Sequence, residues 1–287
     1  MDFLRPVTWE QALAYKAERP EATPIQGGTD VMVEINLDKG RPAALLDLNP
    51  VAELTRWSAE GTEIRVGSGV TYTRLIAELG PLLPGLAQAS RTVGSPQIRN
   101  RGTVAGNLGA ASPAGDAHPP LLASGAIVEA ESVRGTRIIP IAEFYTGVKR
   151  NALRPDELIR AVRIPAATGP QYFSKIGTRN AMVIAVCSFA VALHPGERRV
   201  GTGIGSAAPT PRRAPEAEEF VAAELDWEGR SPLDPEAARR FGELVAGAAA
   251  PIDDVRGRAD YRLHSLAVMA RRTLGWAWND YTGRGPA

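Results

Sequence analysis

Short helical and strand patterns alternate along the first part of the chain. A Thr-x-x-Gln capping box at the start of the helical pattern QALAYKAE predicts a helix over about 8–18. The apolar stretch 22–25 predicts a strand leading into a Gln-Gly-Gly-Thr turn, and Asp30 is expected to cap a helix that ends near Gly40. AALLDL and EIRVGSGV predict two buried strands, and another helix is expected from Thr71. This alternation is typical of a mixed α/β arrangement.

The segment 92–125 interrupts this pattern. It contains ten Gly or Pro residues and has little helical or strand periodicity before Asp116. Such a segment is either a flexible linker or a functional loop. A linker would be more charged and would not explain four apolar side chains, so a functional loop is favoured; these side chains are Val93, Ile98, Val104 and Leu108.

The remaining chain predicts more strands and then helices. AIVEAES and TRIIPI predict a hairpin around Arg134-Gly135, and LIRAVRIP predicts a strand. The pattern changes near residue 166, after which three strands are expected in QYFSKIGTR, MVIAVCSFAVAL and RVGTGIGSAA. Three helices are expected to follow, at 211–223, 235–249 and 259–276. The expected C-terminal domain is therefore α+β.

The composition is that of an ordinary soluble globular protein. Hydrophobic residues make up 44% and charged residues 23% of the 287 positions, a length that suggests two domains. The 33 Lys and Arg against 32 Asp and Glu give a net charge of +1, so nucleic acid is not an expected partner. The N-terminal segment is charged and no apolar run is long enough to cross a bilayer, so a cytoplasmic location without membrane attachment is expected.

The single cysteine, Cys187, narrows the chemistry. It excludes an intramolecular disulfide, a four-cysteine zinc site and a cysteine-ligated iron–sulfur cluster built from this chain alone. The three histidines are far apart in sequence and form no HExxH pair, so no protein-built metal centre is expected. Cys187 lies in an apolar strand pattern that favours a buried, small hydrophobic side chain.

Two glycine-rich stretches are candidate phosphate-binding loops. PIQGGTDV, at 24–31, places two glycines between a predicted strand and a predicted helix, where backbone amides can approach a phosphate. A simple tight turn would have the same pattern. RGTVAGNLGAASPAGD, at 101–116, again exposes amides, and Asp116 is expected to bind a sugar hydroxyl or cap the next helix. Two such loops in one domain are predicted to bind an extended dinucleotide between them.

Three further features are less specific. GTGIGS, at 201–206, lacks the third glycine of a dinucleotide fingerprint at the required spacing and is followed by prolines, so it is not expected to bind a nucleotide. His118 is either a flavin attachment point, a proton carrier or a loop histidine bonded to backbone. Lys175 is either an exposed lysine at a strand edge or a functional cation. The motifs of P-loop NTPases and α/β-hydrolases are absent from the sequence.

Three segments carry a family resemblance. QGGTD at 26–30, PQIRNRGTVAGNLGAASPAGD at 96–116 and KIGTR at 175–179 together resemble the FAD-binding medium subunit of molybdenum hydroxylases, the family of xanthine dehydrogenase and carbon monoxide dehydrogenase. The likeness extends over essentially the whole chain. It implies an α+β fold: a PCMH-type FAD-binding domain of two subdomains over 1–165, then a domain with a three-stranded antiparallel sheet and a three-helix bundle over 166–287.

The resemblance also implies the cofactor contacts. One FAD pyrophosphate loop comprises Pro24, Ile25, Gln26, Gly27, Gly28, Thr29, Asp30 and Val31, and the second comprises Thr103, Val104, Ala105, Gly106 and Asn107. Asp116 is similar to a cofactor-contacting aspartate, Ile159 to an apolar residue near the flavin ring, and Lys175 to a lysine close to that ring. Family members often have Gly-Gly where this chain has Ala-Gly before the asparagine. A cation at Lys175 would stabilise the anionic reduced flavin.

The activity implied by the resemblance is an electron relay. A large partner subunit would carry the molybdenum cofactor, and a small partner would carry two [2Fe–2S] clusters. FAD on this chain would pass the electrons to NAD⁺ or another acceptor. GGTDVMVE and the long central motif favour a xanthine dehydrogenase-like complex; carbon monoxide, nicotine-type heterocycles and aldehydes stay open as substrates. The same scaffold could also serve as a stand-alone FAD reductase of the superfamily or as a flavin-free binding module.

Overall fold

The computed structural model describes residues 1–180 and 182–285, which form four β-sheets and three large hydrophobic cores. The strands are β1 (Asp2–Leu4), β2 (Thr23–Ile25), β3 (Ala44–Asp47), β4 (Trp57–Glu60), β5 (Glu63–Gly67), β6 (Ile127–Ser132), β7 (Gly135–Pro140), β8 (Tyr145–Gly147), β9 (Arg150–Asn151), β10 (Leu158–Pro165), β11 (Gln171–Ile176), β12 (Cys187–His194) and β13 (Arg199–Gly205). The α-helices are α1 (Trp9–Glu18), α2 (Val31–Asn36), α3 (Tyr72–Glu78), α4 (Pro84–Thr92), α5 (Pro96–Arg99), α6 (Val104–Ala110), α7 (His118–Ser124), α8 (Ile141–Phe144), α9 (Pro215–Glu224), α10 (Pro235–Gly247) and α11 (Ala259–Tyr281).

The first core lies under a small parallel sheet of order β1-β3-β2. The Thr8 hydroxyl caps α1 by accepting the Gln11 N–H at 3.2 Å, as the capping box predicts. The buried face of α1 includes Trp9 and Ala12, which pack with Leu46 of β3 and Leu54. The connection between β2 and α2 is the first candidate loop. It therefore begins at a strand whose neighbour, β3, is packed in the core.

The second core lies on an antiparallel sheet of order β4-β5-β10-β6-β7. Val66 and Val128 of the sheet pack with Leu75 of α3, Leu108 of α6 and Leu122 of α7, all 0–1% exposed. Leu108 anchors the helix of the second candidate loop in this core. The position of that loop is thus fixed by the same hydrophobic burial that stabilises the subdomain.

The third core belongs to the C-terminal part of the chain. The antiparallel sheet β11-β12-β13 packs against α9, α10 and α11 through side chains such as Phe189, Phe241, Leu266 and Trp278. Cys187 is fully buried at the start of β12, as its apolar surroundings predict. The expected α+β arrangement of three strands followed by three helices is confirmed.

The glycines of GTGIGS have a packing role in this fold. They lie in β13, not in a loop. The helix α7, whose side chains pack in the second core, lies directly on this strand. A Cβ atom at Gly201 would lie 2.0 Å from the Ala123 carbonyl oxygen, and one at Gly203 would lie 2.0 Å from the Pro119 carbonyl oxygen. These glycines therefore let the two domains approach at backbone distance.

Several local predictions need correction. Asp30 occupies the N-cap position of α2 but its side chain makes no capping hydrogen bond, and α2 ends at Asn36 instead of near Gly40. The segment 92–125 is not an irregular loop before Asp116, because it contains the short helices α5 and α6. The caps Ser95 and Thr103 start these helices, which are too short to show a periodic pattern. No helix among residues 1–180 and 182–285 is long and apolar enough to cross a membrane.

Candidate functional site

The first candidate loop connects β2 to α2. Pro24 and Ile25 are the last residues of β2, residues 26–30 form the connection, and Val31 begins α2. Gly28 has a φ of +73°, a conformation that most other residues adopt only with strain. The preceding residue, Gly27, lies against the second candidate loop.

The two candidate loops are in close contact. A Cβ atom at Gly27 would lie 2.2 Å from the Arg101 carbonyl oxygen and 3.0 Å from the Gly102 nitrogen. The Tyr72 N–H donates to the Gly102 carbonyl at 2.9 Å, which fixes the second loop to the start of α3. The structure therefore brings together two glycine-rich segments that are about 75 residues apart in sequence. Glycine is needed at position 27 for this approach.

The second loop leads into α6. The Thr103 hydroxyl caps this helix by accepting the Gly106 N–H at 2.9 Å. The first-turn amides of Val104 and Ala105 have no acceptor within the helix, while both side chains are buried in the second core. Asn107 is half-buried, and its carboxamide oxygen has no hydrogen-bond partner.

An ion pair joins the second loop to the C-terminal domain. Lys175 Nζ on β11 lies 2.5 Å from Asp116 Oδ2, and the two side chains are 9% and 7% exposed. The same Asp116 oxygen accepts the Thr92 hydroxyl at 3.1 Å, and Lys175 also donates to the Thr92 carbonyl at 3.2 Å. Burial raises the pKa of Asp116 above its ordinary value, while Lys175 and Thr92 act in the opposite direction. Asp116 Oδ1 is buried without a partner.

A cleft of about 460 Å³ opens beside this pair. Lys175, Arg91, Arg99 and Arg179 contribute four basic side chains to its wall, and its described lining residues include no acidic one. Arg99 donates to the Gly94 carbonyl at 3.0 Å, so that guanidinium is fixed in place. An anionic or electron-rich group is therefore favoured in this cleft.

Ile159 lies in β10 at an irregularity in its pairing with β6, and it is 8% exposed within the second core.

Among the described residues, nine buried side-chain polar atoms lack a hydrogen-bond partner, and six of these lie in or beside the two loops and the ion pair. The six are Gln26 Oε1, Ser68 Oγ, Tyr72 OH, Asn107 Oδ1, Asp116 Oδ1 and His118 Nε2. Since buried polar groups are normally hydrogen-bonded, these unpartnered atoms fit a polar ligand such as FAD.

Comparison with known proteins agrees with this geometry. The family profile for the FAD binding domain in molybdopterin dehydrogenase matches residues 1–167, and that for the CO dehydrogenase flavoprotein C-terminal domain matches residues 172–277. The chain belongs to the FAD-binding subunits of the molybdenum hydroxylase family. The resemblance inferred from the sequence is thus confirmed, and this oxidoreductase subunit carries the family's FAD-binding domain.

Individual relatives match nearly the whole of this chain. The chain is 31% identical to the xanthine dehydrogenase FAD-binding subunit of Escherichia coli O157:H7 over 285 residues, which covers 95% of this chain and 94% of that subunit. It is 30% identical to the carbon monoxide dehydrogenase medium chain of Afipia carboxidovorans over 280 residues, 95% of each chain. A solved carbon monoxide dehydrogenase from Hydrogenophaga pseudoflava, lacking the Mo-pyranopterin moiety of its molybdenum cofactor, matches with a TM-score of 0.88 at 26% identity, over 98% of both chains.

The sequence did not indicate several buried polar groups beside the candidate loops. Tyr72 and Ser68 are buried with unpartnered hydroxyls, but a tyrosine after a helix cap and a serine after a strand carry no distinctive signal. Burial raises the pKa of the Tyr72 hydroxyl strongly, so this group stays neutral. The contact of Gly27 with Arg101 and Gly102 also has no local signal, because it depends on how the subdomains pack.

Proposed function

We propose that this chain is the FAD-carrying electron-transfer subunit of a cytoplasmic, xanthine dehydrogenase-like molybdenum hydroxylase. It would receive electrons from two [2Fe–2S] clusters on a small partner subunit and deliver them to NAD⁺ or another acceptor. A large partner subunit would hold the molybdenum cofactor and choose the substrate. FAD binding is supported most directly by the buried, unpartnered polar atoms in and beside two touching glycine-rich loops, among them Gln26 Oε1, Asn107 Oδ1 and Asp116 Oδ1.

Different residues would bind different parts of the cofactor. The loop 24–31 and the segment 103–107 would hold the pyrophosphate through backbone amides, because Gly27 lets the two loops approach at backbone distance and Gly28 permits the turn between them and α2. Asp116 Oδ1 would accept a hydrogen bond from a hydroxyl or N–H of the cofactor. Ile159 would pack near the ring system. FAD, when bound, supplies a carrier that takes up two electrons and releases them to an acceptor.

Lys175 would act as half of a pair. Its ammonium group faces Asp116 Oδ2 at 2.5 Å, so the two charges compensate each other before any cofactor charge is considered. An added negative charge nearby would then be stabilised by Lys175 and opposed by Asp116. The proposed cationic role of Lys175 therefore depends on the geometry of this pair.

The cysteine content supports the need for partners. A [2Fe–2S] cluster bound by thiolates requires four cysteines, and this chain has one, which is fully buried in β12. Electrons from an iron–sulfur carrier would thus have to reach this chain from another subunit. The proposed electron relay therefore requires a partner subunit that binds these clusters.

Purification of the tagged full-length chain from its native host tests the proposal. We expect a yellow complex that releases FAD on denaturation, contains iron and molybdenum, and reduces NAD⁺ with hypoxanthine or xanthine. Activity with carbon monoxide or a nicotine-type heterocycle instead would retain the electron-transfer role and change the substrate. A chain that takes up no FAD, or one that turns over a substrate without iron–sulfur and molybdenum subunits, would contradict the proposal.

A further inference from the structure

We propose that three arginines of the cleft beside Lys175 bind the phosphate groups of a dinucleotide electron acceptor. The three are Arg91 at the end of α4, Arg99 at the end of α5 and Arg179 after β11, and all of them line the cleft of about 460 Å³. The inference rests on the proposed electron-transfer function and narrows its open choice of acceptor to one chemical class. It assigns these arginines to the acceptor and not to FAD.

The cleft has a positive charge that the chain as a whole does not share. Lys175 is compensated by Asp116 at 2.5 Å, but none of the three arginines forms an ion pair with a carboxylate of residues 1–180 or 182–285. The whole chain carries a net charge of only +1. Three uncompensated guanidinium groups in one cleft therefore favour an occupant with more than one negative charge.

Two of these guanidinium groups are held by backbone carbonyls and keep further N–H donors. Arg99 Nη1 donates to the carbonyl oxygens of Val93 at 3.2 Å and Gly94 at 3.0 Å. Arg179 donates through Nε and Nη2 to the Met182 carbonyl oxygen, at 3.0 and 2.7 Å. A guanidinium group has five N–H donors, so both groups can also donate to phosphate oxygens. Because their positions are already fixed, binding would cost little side-chain ordering.

The shape of the cleft favours a small molecule over a protein surface. Its volume lies within the range of small-molecule sites, roughly 300–1,000 Å³. Arg91 and Arg179 are exposed, whereas Arg99 is half-buried. The flat acidic face of an electron-carrier protein could contact the two exposed arginines, but Arg99 is better reached by a molecule that enters the cleft. A small anionic acceptor could contact all three.

FAD does not account for the three arginine charges. In the proposed function, the FAD pyrophosphate lies at the loop 24–31 and the segment 103–107, none of which lines this cleft. The oxidised flavin ring, expected near Lys175, is uncharged. The acceptor is the other molecule that has to come close to the ring, and the pyrophosphate of a dinucleotide brings two negative charges whose oxygens match the guanidinium fork. An uncharged quinone would gain nothing from these arginines.

Calorimetric titration of the FAD-loaded, full-length chain with ADP-ribose tests the inference. ADP-ribose has the pyrophosphate of a dinucleotide without the nicotinamide, and adenosine, which has no phosphate, is the ligand control. We expect ADP-ribose to bind more weakly as salt is added, and Arg99→Gln to raise its dissociation constant about tenfold. Arg91→Gln and Arg179→Gln should each raise it about threefold, because these side chains are more exposed. Arg271→Gln removes an exposed arginine of α11 outside the cleft lining and should leave it unchanged.

The FAD dissociation constant of each variant separates the two ligands, and we expect it to stay at that of the original chain. A rise would assign the arginines to FAD and overturn the inference. It is overturned as well if ADP-ribose binds no better than adenosine, if Arg99→Gln behaves like Arg271→Gln, or if the arginines bind an acidic electron-carrier protein that ADP-ribose does not displace. If Arg99→Gln does not fold, the double variant of Arg91→Gln and Arg179→Gln replaces it, with about a tenfold effect expected. An original chain that takes up no FAD would instead refute the proposed function.

Discussion

Removing one partner of the Lys175–Asp116 pair should reveal how strongly the two domains are joined at the site. Lys175→Met keeps the length and apolar stem of the side chain and deletes the charge. It leaves the Asp116 carboxylate, 7% exposed, with the Thr92 hydroxyl as its remaining side-chain partner in the described structure. Breaking a buried ion pair from one side costs about 3–5 kcal/mol, against roughly 0.2–1 kcal/mol for an exposed pair.

The magnitude can be separated from a general effect of charge removal. Arg258 and Asp260 form an ion pair at 3.0 Å whose side chains are 78% and 67% exposed. We therefore expect Arg258→Met to change the free energy of unfolding in urea by less than about 0.5 kcal/mol. The double variant Lys175→Met with Asp116→Asn removes both charges, and it should recover a large part of the stability lost by Lys175→Met alone.

The pH dependence gives an independent check. Burial already raises the pKa of Asp116, and Lys175→Met removes a charge that lowers it. In the variant, the folded state therefore binds a proton at a pH where the unfolded chain does not. Its stability deficit should shrink as the pH falls from about 7 toward about 5. The reasoning is refuted if Lys175→Met lies within about 0.5 kcal/mol of the original chain, or if its deficit grows on acidification.

Three further changes test other parts of the structure. Gly27→Ala should raise the FAD dissociation constant about tenfold in a fluorescence titration, because its Cβ atom would overlap a carbonyl oxygen of the second loop; Gly40→Ala, which has open space, is the control and should leave it unchanged. Gly203→Ala should lower the free energy of unfolding by about 1–3 kcal/mol by separating β13 from α7, whereas Gly196→Ala should not. Because the pKa of His118 falls from 6.5 to about 3 on folding, stability should be lost as the pH drops through this range, and His118→Gln should reduce that slope by up to about 1.4 kcal/mol per pH unit in urea titrations. An unchanged slope would mean that His118 is accessible to protons in the folded chain.

Elements with local signals were predicted well. The capped helix α1, the hairpin β6–β7 and the strands of the C-terminal sheet follow from caps, turns and periodicity, which act over a few residues. Asp30 shows the limit of this reasoning, because a good capping residue can occupy the N-cap position without forming the bond. The short helices α5 and α6 have caps but too few turns for a periodic signal.

The site itself depends on contacts between distant segments. The sequence indicated the two glycine-rich loops and singled out Lys175 through the family resemblance. It could not indicate that Lys175 meets Asp116, 59 positions away, because that contact requires β11 to pack beside the end of α4. Nor could it show that Tyr72 and Ser68 would be buried with free hydroxyls, since burial is a property of the assembled cores.

The candidate site draws on segments that pack with all three cores. The first loop follows β2, which pairs with β3 of the first core, and α6 of the second loop packs in the second core. Lys175 lies on β11, a strand of the sheet in the third core. This sheet reaches the candidate site because the β13 glycines let α7 pack at backbone distance. Glycine thus permits close backbone contacts at two places, between the two loops at position 27 and between β13 and α7 at positions 201 and 203. A ligand that contacts both loops and reaches Lys175 would bind to segments of all three cores at once and stabilise their relative positions.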